Sequence, residues 1–182
     1  MKSEFIHLHN HSDYSLLDGA QKIDELLDTI TNLNMDSVGL TEHGNMFSAI
    51  SFYKAAKKHG IKPILGCELN VCENRLDKSY RDDGYQIVFL AKNKNGYNNL
   101  SKLSSLAYTK GFYYIPRIDK NLIMEYKEDL IVLSGNLFGE ISHKFLNIGK
   151  NEAEDSLLWW KDNFGEDFYL EINRHNQDNE NV

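Results

Sequence analysis

The chain carries only two cysteines, Cys67 and Cys72, in 182 residues. Two thiols at that spacing make neither a disulfide framework nor a zinc-knuckle pattern. Such sparing use of cysteine fits a reducing compartment. Long apolar runs are missing too. The N-terminal stretch MKSEFIHLHNHSDYS has no segment of signal-peptide length. Nowhere does a run approach the roughly 18 apolar residues of a membrane span. These absences point to a cytoplasmic protein with no membrane partner. A cationic excess is also lacking, since the formal net charge is −7. The overall field therefore does not attract nucleic acid, and any such contact must be local, through bound metal or basic residues supplied elsewhere. There is no Walker-type glycine-rich loop and no Gly-x-Ser-x-Gly elbow. A nucleophilic serine hydrolase is therefore set aside.

What is present suffices for one sizeable domain, over residues 1–182. Apolar residues make up 41%, with 9 Phe, 10 Tyr and 2 Trp, so core material is ample. Short apolar stretches alternate with amphipathic ones. Strands are expected at Phe5–Leu8, Ser37–Thr41, Ile61–Glu68, Tyr85–Ala91, Leu130–Leu133 and Phe168–Ile172. Helices are expected at Ile23–Leu33, Phe47–His59, Gly96–Tyr108 and Glu152–Asn163, with Phe47, Ile50, Tyr53 and Ala56 lining one side of the second. Residues 73–84 are polar and read as a loop. This alternation predicts βαβ units and a parallel sheet. His9, His11, His43, Glu68 and Asn136 all fall at or just beyond strand ends. In barrel-type α/β folds that end of the sheet carries the active site. The polar tail after Phe168–Ile172 leaves the last strand without a covering helix, as expected of a fragment of a longer protein.

His7-Leu8-His9-Asn10-His11 sets three imidazoles at alternate positions. In extended backbone such side chains share a face, and two on one face can share a divalent ion. Chance alternation in a surface strand is the competing reading. Asp18 precedes Gly19, a pair that by itself means a turn, yet its place after the histidines also suits a carboxylate bridging metals. His43 lies between Glu42 and Gly44, where glycine permits unusual backbone or a close ligand; the alternative is a loop histidine capping the next helix. Glu68 ends an apolar strand, where a charge is costly unless paired or metal-bound, or else it faces solvent on an edge. His59, His143 and His175 lack ligand-like company and read as structural. Histidine and carboxylate without a thiolate cluster suit metal-assisted phosphoester hydrolysis.

In combination these segments resemble a known family. His-x-His with Ser15-Leu16-Leu17-Asp18-Gly19, Thr41-Glu42-His43-Gly44-Asn45-Met46-Phe47 and Lys62-Pro63-Ile64-Leu65-Gly66-Cys67-Glu68 is similar to the PHP (polymerase and histidinol phosphatase) domain. Gly96-Tyr97-Asn98-Asn99-Leu100 and Gly111-Phe112-Tyr113-Tyr114-Ile115-Pro116-Arg117 resemble the form at the N-terminus of bacterial replicative polymerase III alpha subunits. The resemblance spans essentially the whole chain. It implies a distorted TIM-like barrel of seven strands, C-terminally truncated here, with up to three divalent ions (Zn, Mn or Mg). His9, His11, Asp18, His43 and Glu68 fall on the family's ligand positions, with His7 and Glu42 beside the site. Gln86 stands where the family often has His, and Asn136 where it often has Cys. Both are weak neutral ligands, so fewer ions and a weakened site are implied. The family's final Asp-x-His motif is not found. The implied activity is a 3′–5′ proofreading exonuclease of the parent polymerase. Alternatives are a structural or partner-binding domain and, third, a free-standing phosphatase. Implied partners are DNA, through the parent polymerase, and the other holoenzyme subunits. No candidate for the polymerase's own nucleotidyl-transfer carboxylates is seen.

Overall fold

The computed structural model describes residues 5–173. Helix α1 (Ile23–Asn32) turns Leu26, Leu27 and Ile30 inward, and Asp24 and Glu25 in its first turn suit the positive end of the helix dipole. Strand β1 (Ser37–His43) is buried almost throughout. Helix α2 (Ala49–Lys58) buries Ala49, Phe52 and Ala56. The apolar face expected from Phe47, Ile50 and Tyr53 is instead exposed. Phe52 decides the rotation, because it joins Leu27, Ile30, Val38 and Leu40 in one apolar cluster. Gly60, at φ +72°, ends the segment in a backbone region that favours glycine.

Strand β2 (Lys62–Cys72) is longer than expected, so Glu68 lies within it rather than at its end. Strand β3 (Tyr85–Ala91) follows the polar loop. Helix α3 (Lys94–Thr109) is capped by the Asn93 side chain, which accepts from the amides of Asn95 and Gly96. Then come β4 (Arg117–Asp119), α4 (Lys120–Tyr126), β5 (Leu130–Leu133), α5 (Glu140–Asn147), α6 (Lys150–Phe164) and the short β6 (Phe168–Tyr169). Of these, β4, α4 and α5 are not among the expected elements. The larger apolar cluster gathers Leu69, Ile87, Phe89, Leu100, Leu103, Ile118, Val132 and Trp160 between sheet and helices.

The sheet runs β1-β2-β3-β5-β6, with β4 paired to β2. It is mixed, not all parallel as expected. β3 lies antiparallel to both β2 and β5, whereas β1–β2, β2–β4 and β5–β6 are parallel. A parallel return needs a crossover, usually helical, and residues 73–84 contain only turns and bends. The reversal has a positional consequence. It brings the start of β3, including Gln86, to the end of the sheet where β1 and β5 finish. The described residues supply six strands. The fold is α/β and barrel-like: the segment preceding α1 runs beside β1, and its His9 reaches Glu171, just beyond β6, at 2.7 Å.

Candidate metal centre

Residues 5–11 lie along β1 without forming a regular strand. The His7 carbonyl accepts from the Gly39 amide (2.7 Å) and the Asn10 carbonyl from the Thr41 amide (2.9 Å). Three residues on one side thus match two on the other, and this mismatch is why the expected Phe5–Leu8 strand is absent. Gly39 permits the approach: a Cβ there would fall 2.5 Å from the Leu8 carbonyl oxygen. The mismatch also parts the three histidines. His9 and His11 meet, with Nε2 atoms 3.2 Å apart. His7 is exposed, with its ring edge-on to Phe5 at 4.9 Å.

Glu68 is 2% exposed, which removes the solvent-facing alternative. One carboxylate oxygen lies 3.0 Å from His9 Nε2 and the other 3.9 Å from His11 Nε2. The donor atoms of His9, His11 and Glu68 all lie within 4.8 Å of one another. Two imidazole nitrogens and a carboxylate converging in this way form a donor set that fits a divalent ion. Burial opposes charge on His9, but the flanking carboxylates of Glu171 and Glu68 outweigh it and raise its pKa to about 9. Burial lowers that of His11; Glu68 works against this, while His9 and His43 add to it.

A second group adjoins the first. His43 Nδ1 lies 3.0 Å from the Asp18 carboxylate and 3.7 Å from Glu68. Its Nε2 is 3.4 Å from Asn70 Oδ1. The Asp18 turn is real as well: the Asp18 and Gly19 amides both bond the Ser15 carbonyl. Gly19 is required there, because a Cβ would fall 2.0 Å from the Ser12 carbonyl oxygen. Gly44 has φ +69°, the unusual geometry its position permits.

His9, His11, Asp18, His43, Glu68, Gln86 and Asn136 all line one open pocket of about 370 Å³. A model of the PHP domain family matches residues 7–175. The chain belongs to the PHP domain family. It is 48% identical over 178 residues to DNA polymerase III subunit alpha of Borreliella burgdorferi, covering 96% of this chain and 16% of that protein. The same subunit of Treponema pallidum is 44% identical over 184 residues, covering 98% and 16%. That of Aquifex aeolicus is 41% identical over 186 residues, covering 97% and 16%. The chain thus spans 16% of the length of each of these relatives.

Several side chains of this PHP domain do something other than line the pocket. Glu42 faces away from it, is 1% exposed and bonds the hydroxyls of Ser12, Ser15 and Ser48. The Asn136 side-chain oxygen accepts from the Phe138 amide at 2.8 Å, closing a local turn. Cys67 donates to the carbonyls of Glu42 and Asn45. Burial pushes its thiol pKa well up, so it stays protonated. His59 bonds the Ala55 carbonyl within its own helix end, and His143 packs against Tyr85. His175 lies outside the described residues.

Glu171 has no counterpart in the sequence reading, yet it makes the shortest contact to His9. The signal was available. In Tyr169-Leu170-Glu171-Ile172 an acid interrupts an apolar strand end, as Glu68 does in its own strand.

Proposed function

We propose that this PHP domain binds at least one divalent ion, Zn, Mn or Mg, through His9, His11 and Glu68, with Asp18 and His43 beside them. In this reading the domain occupies residues 1–182 at the N-terminus of a cytoplasmic bacterial replicative polymerase alpha subunit, and its phosphoester-hydrolysing site acts on primer 3′ ends with reduced power. The observation that carries the reading is the convergence of the three donors around Glu68, a carboxylate buried to 2% exposure. An anion so buried calls for compensating cations. When bound, a divalent ion supplies Lewis acidity toward water and a phosphoryl oxygen. His9 and His11 offer Nε2 to it, Glu68 supplies charge, and Asp18 holds His43 through Nδ1.

The reduced power rests on Gln86 and Asn136. Both line the pocket. Neither is ionisable, and the Asn136 oxygen is already engaged by Phe138. That same observation favours a second reading, in which the domain binds metal for structure or for docking another subunit and hydrolyses nothing.

The test is metal analysis of the 182-residue chain after loading with Mn or Zn and removal of excess, followed by incubation with a 3′-labelled primer. At least one ion per chain and slow 3′ loss are expected, both abolished by Glu68→Ala. Ion without cleavage selects the second reading. No retained ion overturns the proposal.

A further inference from the structure

We infer that Glu171 is the positioning residue of His9: its carboxylate accepts the Nδ1 proton and fixes the ring with Nε2 facing His11 and Glu68, where Nε2 would give up its own proton to offer a lone pair to a shared ion. The inference rests on the metal-binding reading above, and it adds a residue outside the donor cluster. Three observations carry it. The Nδ1–Oε1 separation is 2.7 Å, the length of a charge-assisted hydrogen bond. Nε2, on the far side of the same ring, lies 3.0 Å from Glu68 and 3.2 Å from His11. The two nitrogens therefore face different partners, and only one can serve the cluster. Glu171 itself is held in place from the backbone, since its amide donates to Ser134 Oγ at 2.9 Å and the Ser134 amide donates to the Tyr169 carbonyl at 2.9 Å.

The surroundings of Glu171 are apolar, which makes a purely incidental role hard to sustain. It lines a cavity of about 540 Å³ with Leu8, Leu133 and Ile172. Its side chain is 12% exposed, and its second oxygen is buried without a hydrogen-bond partner among the described residues. A carboxylate in such a place is costly unless paired, and His9 is its paired side chain. A carboxylate behind a ligating imidazole fixes the tautomer and the ring orientation, and its loss lowers metal affinity by about 10–100-fold.

The test uses the full chain with Glu171→Ala, Glu171→Gln, His9→Ala and the double variant His9→Ala/Glu171→Ala. Zn and Mn affinities are measured by competition with a chelating dye. Expected are a loss of about 10–100-fold for Glu171→Ala and a smaller loss for Glu171→Gln, whose amide oxygen still accepts. In the His9→Ala background, adding Glu171→Ala should change nothing more. Proton NMR of the metal-free chain supplies a readout independent of metal: a downfield, slowly exchanging His9 Nδ1 proton, kept in Glu171→Gln and lost in Glu171→Ala. Equal affinities for native and Glu171→Ala, or a further loss in the His9→Ala background, overturn the inference. So does the absence of that proton from the native chain. If the native chain binds no metal, the functional reading fails, and the NMR signal alone decides the role of Glu171. If Glu171→Ala does not fold, the Glu171→Gln variant and the native Nδ1 proton still decide it.

Discussion

Glu42 and His43 are neighbours on β1 and face opposite ways. The Glu42 carboxylate lies under the hydroxyls of Ser12, Ser15 and Ser48 and accepts from the Ser12 amide at 3.1 Å. The His43 ring opens toward Asp18 and Glu68. Strand alternation separates them. Ser15 couples the two sides, because its hydroxyl donates to Glu42 and accepts from the His43 amide at 3.0 Å. Glu42 therefore organises the loop that carries Asp18. Glu42→Ala leaves several buried donors unpaired, and a loss of roughly 2–3 kcal/mol is expected. Urea unfolding of the metal-free chain measures it. A midpoint unchanged from the native chain would show that the cage is unimportant.

The two carboxylates that face His43 should not be equivalent. Glu68 is buried and touches His9, His11 and His43. The Asp18 side chain is 54% exposed and, among the described residues, bonds His43 alone. Removing Glu68 dismantles the shared donor set, so Glu68→Ala should weaken Mn or Zn binding by roughly 100-fold or more, whereas Asp18→Ala should cost about 10-fold or less. Isothermal titration of the two variants gives the ratio. Equal losses would mean that both carboxylates belong to one ligand shell.

Much of this was legible before the fold was known, and the reasons differ by residue. His43 and Asn136 reach the shared pocket because β1 and β5 end beside it, as the α/β alternation predicts, whereas His9 and His11 come from the irregular segment along β1 and Glu68 from within β2. Gln86 belongs there for a different reason: β3 is reversed, so its beginning, not its end, reaches the site. Periodicity carries no strand direction, and the expected parallel sheet failed at that strand. β4 is three residues long, too short for any pattern. Its Arg117 is 0% exposed and donates to the carbonyls of Gly111, Arg75, Asp77 and Asp82. That satisfaction is tertiary, and no local window contains it. The same holds for Glu171, whose partner lies 162 residues away in sequence.

Gln86 and Asn136 differ in how readily they can be converted to ligands. Asn136 holds a local turn through Phe138, so Asn136→Cys sacrifices that bond, at a cost of about 1 kcal/mol. Among the described residues no such bond of the Gln86 side chain constrains Gln86→His. Gln86→His alone should therefore raise Zn affinity by about 10-fold with stability nearly unchanged, and the double variant should bind more ion while unfolding earlier. Metal content and thermal melts of the three proteins check this. Unaltered affinity in both variants would remove the view that these positions weaken the site.

Glu140, at the start of α5, is a buried carboxylate that ties stability to pH. It is 3% exposed. One carboxylate oxygen meets Lys144 Nζ at 2.7 Å and Lys120 Nζ at 2.8 Å, and the other accepts from Trp160 Nε1 at 2.8 Å. Burial pushes its pKa up, but the two ammonium groups outweigh burial and hold it below the ordinary value of 4.5. A folded pKa below the unfolded one means that the stabilisation is complete above about pH 4.5 and is lost as pH falls through the lowered folded value. Glu140→Gln removes this contribution and leaves two ammonium groups without their anion, so a deficit of about 3 kcal/mol is expected at pH 7. The gap between native and variant should shrink as the pH falls below 4.5 through the lowered folded value, because the native carboxylate is then being protonated as well. Urea titrations of both proteins across that range test the sign: a gap that stays constant, or widens in acid, would show that the lysines do not stabilise the ionised form.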